Sequence, residues 1–130
     1  EKLRRENVVS LPAGTDWAQA VLRGAQSLQG ERLADKMGNL LHSRRVQMYR
    51  FQDEVVLVHC PMQGEVGAKV DVRILVSREG VLCRDGRRAS VILCLATADR
   101  YTHWNTLQEV YQYFSTPGHV DGVTQFYALN

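Results

Sequence analysis

Long apolar runs are the first thing this sequence lacks. No stretch approaches the length needed to cross a bilayer and the amino terminus carries no apolar secretion signal, so no membrane insertion is expected. Cysteine is scarce as well: Cys60, Cys83 and Cys94 are odd in number and match neither a zinc module nor a redox pair, which argues against a disulfide framework and for a reduced, cytoplasmic setting. Neither sign of charge dominates. Sixteen basic residues against fourteen acidic ones leave a net charge of +2 spread along the chain, too little for a basic footprint on nucleic acid or an anionic membrane. There are no internal repeats and no low-complexity segment.

What is present suits one domain. A chain of 130 residues buries roughly two thirds of its unfolded surface, enough for a single core. The reading is a single α/β domain over 1–130, a mixed sheet of four to five strands flanked by helices. Residues 1–9, opening Glu-Lys-Leu-Arg-Arg-Glu, are expected to be a frayed or truncated lead-in, and the start at Glu1 suggests a trimmed chain or a piece of a longer one. Thr15 or Asp16 caps a helix carrying Trp17, Val21 and Leu28, and Gly30 stops it. A second helix over 31–41 buries Leu33, Met37, Leu40 and Leu41. After a basic junction at 42–45, a short strand is expected over 46–51.

The stretch Glu54-Val-Val-Leu-Val-His-Cys-Pro61 is the centre of the design. Four consecutive apolar residues suit a strand buried on both faces, and it ends by delivering an imidazole, a thiol and a proline to its carboxyl end, where ligands collect in open α/β sheets. Residues 62–68 read as a mobile loop beside it. The alternation Val70, Val72, Ile74, Val76 predicts a strand with one exposed face nearer an edge, followed by turns at 78–80 and 84–88. Val91 to Leu95 form the second doubly buried strand, expected beside the first. Thr97, Asp99 or Thr102 then caps a helix whose Trp104, Leu107, Tyr111 and Phe114 fall at core spacing. Thr116-Pro117-Gly118 breaks it, and a last helix follows.

If the two buried strands are neighbours, His59 and His103 share one cleft. Imidazole exchanges protons and attacks electrophiles near neutral pH, and a helix amino terminus favours an anion, so the pair suits a phosphohistidine. Two other readings start from the same residues. Cys60 beside an imidazole is a conceivable thiolate nucleophile, though it lacks an orienting third group, and His42, His59, Cys60 and His103 are a conceivable metal set at the wrong spacings.

The chain also resembles the enzyme IIA domains of the fructose-mannitol type, from the bacterial phosphoenolpyruvate-dependent sugar phosphotransferase system. The resemblance runs through Thr15-Asp16-Trp17-Ala18, Asp35-Lys36-Met37, Val55 to His59, Ile92 to Thr97, and His103 with Ser115-Thr116-Pro117. It implies the mannitol-type enzyme IIA fold and a relay in which His59 takes a phosphoryl group from the phosphocarrier protein HPr and passes it to an enzyme IIB domain. By the same resemblance His103 assists His59. Arg44, Arg45 and Thr102 are phosphate-binding candidates, and no metal or cofactor is required. The chain departs from the family pattern where Val58 and Cys60 flank His59 in place of proline and a small residue. That departure motivates an alternative from another class, a non-catalytic regulatory or interaction domain of a transcription regulator.

Overall fold

A computed structural model describes residues 4–61, 71–97 and 104–127. It is built on one five-stranded mixed sheet with strand order β1-β4-β5-β3-β2, whose strands are β1 Val8–Ser10, β2 Gln47–Gln52, β3 Val55–Pro61, β4 Asp71–Leu82 and β5 Arg88–Thr97. The helices are α1 Trp17–His42, α2 Trp104–Ser115 and α3 His119–Tyr127. The two doubly buried strands are neighbours as expected: β3 and β5 pair in parallel with His59 opposite Leu95 and Pro61 opposite Thr97. Their carboxyl ends therefore open on the same edge.

Pleat parity divides the core in two. Val56, Val58, Cys60, Ile92 and Cys94 face α1 with Val21, Ala25, Leu33 and Met37, whereas Val55, Leu57, Leu93 and Leu95 face Val110, Phe114 and Val123 of α2 and α3. Burying a Val or Leu side chain fully is worth roughly 1.5–3 kcal/mol. The uninterrupted apolar runs of β3 and β5 supply both layers at once.

The helix break at Gly30 is present. Gln29 and Gly30 leave helical geometry, Gly30 at φ 70°, and Gln26 donates to Glu31 across the kink. Asp16 caps the helix with a reciprocal box, accepting from the Gln19 backbone at 2.8 Å while Gln19 Oε1 accepts from the Asp16 N–H at 3.1 Å.

Four expectations are corrected. Residues 5–7 form a 3₁₀ turn and Val8–Ser10 pair in parallel with Ile74–Val76, so the described part of the lead-in is an edge strand and not a frayed tail. With β1 on the edge, β4 lies inside the sheet, and α1 covers the face that alternation left open, with Leu75 fully buried and Ser77 2% exposed. The turn expected at 78–80 is a bulge inside β4, with a register shift between Val76 and Val81 and Gly80 at φ 80°. Finally Tyr111 is 53% exposed, because Val110 and Phe114 already fill the sheet-facing stripe of α2. The loop expected at 62–68 lies outside the described residues.

Candidate functional site

His59 sits two residues before the end of β3 and is half-buried. Parity puts it on the α2 face with Leu57, and β2 and β5 flank it through Gln47 and Leu95, the residues directly opposite in register. Together these bound a cleft of about 580 Å³ whose walls are Tyr49 and Phe51 on β2, Leu57 on β3 and Leu107 on α2. The polar end of that cleft holds His59 and Gln47. The rest is apolar or aromatic.

Two contacts hold the cleft's outer wall. Phe51 and Tyr111 meet edge to face with ring centroids 6.0 Å apart, and Gln52 Nε2 donates to Ser115 Oγ at 3.2 Å, so the edge strand is tied to the carboxyl-terminal half of α2. On the far side of β2, Arg50 forks onto Asp85 at 2.7 and 3.0 Å and donates to the carbonyls of Asp53, Arg87 and Arg88. The hydrogen bond from Arg50 holds the Asp85 carboxyl down at a pKa of about 2, and the same pairing raises Arg50. This clamp fastens β2 to the β4–β5 turn.

Cys60, next in sequence, points the other way. It is fully buried against α1 beside Cys94, whose thiol is pushed well above its ordinary range by its hydrogen bond with Cys60 and then by burial. A thiolate nucleophile at Cys60 would have no access to a substrate. Among the described residues no three His, Cys, Asp or Glu side chains are grouped as metal ligands would be.

The other sequence candidates scatter. His103 and Thr102 lie outside the described residues. Arg44 and Arg45 are exposed and belong to the end of α1, and neither is among the described residues lining the His59 cleft. Arg45 N donates to Leu40 O at 2.8 Å and Arg44 N to Leu41 O at 3.2 Å, the double closure of a Schellman turn, with Arg44 in the left-handed position at φ 59° where glycine is usual. His119 is a packing residue, its Nδ1 2.7 Å from the Tyr113 carbonyl and its ring against Tyr113. Sequence reasoning missed Gln47. The period-two alternation Gln47, Tyr49, Phe51 is the signal that places it on the cleft face of β2.

No protein-family profile matches the chain, and no curated protein matches it. Among solved structures it is similar to the crystal structure of the nitrogen regulatory protein IIA-Ntr from Neisseria meningitidis, at 16% identity and a TM-score of 0.71, over 92% of this chain and 85% of that one. At that identity the likeness carries the fold: a five-stranded mixed sheet with three helices, of the enzyme IIA-like type.

Proposed function

We propose that this domain is a phosphoryl carrier of the phosphoenolpyruvate-dependent phosphotransferase system, taking a phosphoryl group from HPr on His59 and passing it to an enzyme IIB domain in the cytoplasm. The observation that carries the reading is the position of His59. It is half-buried near the carboxyl end of a central parallel strand, at the polar end of an open cleft, in an enzyme IIA-like fold. The fructose-mannitol type is part of the proposal and rests on the matched sequence segments.

The chemistry asks little of the protein beyond placement. A lone pair on a neutral His59 ring nitrogen forms the new N–P bond as the N–P bond to the donor imidazole breaks, and that electron pair returns to the donor ring. Positioning and charge stabilisation dominate such transfers. The apolar rim of Tyr49, Phe51 and Leu107 suits a protein partner that presents its own histidine from an apolar patch. His103 is proposed to assist, and Arg45 and Thr102 to meet the phosphoryl oxygens.

A second reading has its own support. The described lining of the cleft contains no arginine or lysine to neutralise a phosphoryl group, which favours a regulatory domain that binds a partner without efficient relay. Intact-mass spectrometry at mildly alkaline pH, after incubation with phosphoenolpyruvate, enzyme I and cognate HPr, separates the two. One acid-labile phosphoryl adduct on the wild type, absent from a folded His59→Ala variant, is the expected result, with slower labelling in His103→Ala. Labelling that survives in His59→Ala moves the site elsewhere, and a folded wild type without an adduct selects the regulatory domain.

A further inference from the structure

A second recess, unconnected with the relay, lies where the start and end of α1 meet the β4–β5 turn. It encloses about 360 Å³ over an apolar floor of Trp17, Leu41 and Leu82, and Arg44 and Arg84 stand on its rim. Leu82 on that floor is 54% exposed, so the recess presents an open apolar surface among the described residues.

The charge of the recess is as uncompensated as its floor. Three carboxylates of the flanking segments are engaged elsewhere: Asp85 with Arg50, Asp53 with Arg87, and Asp16 with the Gln19 backbone as the helix cap. Among the described residues neither Arg44 nor Arg84 has a carboxylate partner. Arg44 moreover occupies the left-handed position of the Schellman turn, where glycine closes the helix without strain. Helix termination alone does not call for arginine there. Its presence puts a guanidinium on the rim at a conformational cost, which points from an observed outlier to a function.

We propose that this recess docks an acidic peptide segment of a partner protein, with a leucine or aromatic side chain seated between Trp17 and Leu82 and carboxylates of the same segment on Arg44 and Arg84. Charge complementarity selects the acidic partner, and guanidinium forks match carboxylates in geometry as well as sign. Two rim arginines in a domain of net charge +2 are too few for a duplex, whose binding is built on many phosphate contacts. None of these residues lines the His59 cleft, so the recess stands whether or not His59 carries phosphate.

The test titrates the full chain with a short acetylated peptide that alternates leucine and phenylalanine with aspartate and glutamate. Two control peptides are run alongside, one with lysine for every acid and one with serine for every apolar residue. The reporter is the indole N–H resonance of Trp17 in a nitrogen-15 spectrum. The acidic apolar peptide is expected to move that resonance, and Arg44→Gly and Arg84→Ser together to weaken its binding about tenfold. Arg44→Gly is chosen because glycine suits the turn, so its melting temperature is expected not to fall while its affinity does. Equal binding of the lysine control, equal binding of the serine control, or a Trp17 resonance unmoved at about millimolar peptide would each overturn the proposal. So would a wild-type dimer that Arg44→Gly and Arg84→Ser dissociate, since the recess would then belong to a second copy of this chain.

Discussion

Replacing Gly24 by alanine tests how tightly α1 is seated on the sheet beneath the His59 strand. A Cβ at Gly24 would stand 2.3 Å from Cys94 Sγ, 3.1 Å from Cys94 Cβ and 3.3 Å from Leu75 Cδ1. The first contact is more than an ångström inside ordinary separation, and Cys94 is fully buried beside Cys60, which leaves its sulfur little room to swing. The second cannot be relieved by any rotamer, because Cys94 Cβ is fixed by the β5 backbone. The helix must retreat, and overpacking of this kind costs about 1–3 kcal/mol. Alanine returns about 1 kcal/mol of helix propensity over glycine. Because the fixed Cβ cannot give way, the cost falls in the upper part of that range, about 2–3 kcal/mol, and the net expectation for Gly24→Ala is a loss of about 1–2 kcal/mol, read as a lower urea midpoint and a melting temperature about 3–6 °C lower. Cys94→Ala supplies the control. By removing the sulfur it should recover part of the loss, so the double variant should be more stable than the sum of the singles predicts by about 1 kcal/mol. A Gly24→Ala protein as stable as wild type, or strictly additive singles, would refute the close-approach argument.

The Arg50–Asp85 clamp predicts an acid-sensitive term. Because the folded carboxyl titrates at about 2, below its ordinary 3.8, the folded state binds fewer protons and its contribution is complete above the unfolded value and lost as pH falls toward 2. With the Asp85 side chain 30% exposed and screened, that contribution is about 1–2 kcal/mol. Asp85→Asn should therefore lower the urea midpoint at neutral pH and converge on wild type as the pH approaches about 2; a gap independent of pH would rule the linkage out. Arg44→Gly should raise stability by about 1 kcal/mol through relief of the left-handed backbone, measured by thermal melting, and a lower melting temperature would mean that the arginine side chain is a structural brace.

Much of the site's framework was legible in the chain because it depends on neighbours only a few residues apart. Val55–Val58 and Val91–Leu95 read as strands buried on both faces since no polar residue interrupts either run, and two such strands in one small sheet must lie near its centre. Thr15 or Asp16 announces a helix start and Gly30 a break through local hydrogen bonding and backbone freedom alone, and the structure selects Asp16. His59 at the end of β3 follows directly from the strand's length.

Other features depended on residues far away in sequence. Val8–Ser10 is too short to register as a strand by pattern, and only the free edge of β4, about sixty-six residues downstream, makes it one. That pairing takes β4 off the edge, and α1 packs on the face that alternation alone left open, which is why Leu75 is buried. Pleat parity separates His59 from Cys60 in any strand, yet which of them meets the cleft was settled by the path of α1, which covers Cys60, and of α2, which leaves His59 half open. The aromatic wall of Tyr49 and Phe51 against α2, the Arg50 clamp, and the meeting of Trp17 with Arg44 and Arg84 are likewise products of tertiary structure. Period and capping act over a few residues, whereas a cleft is the space left between elements whose order in the sheet no local pattern encodes.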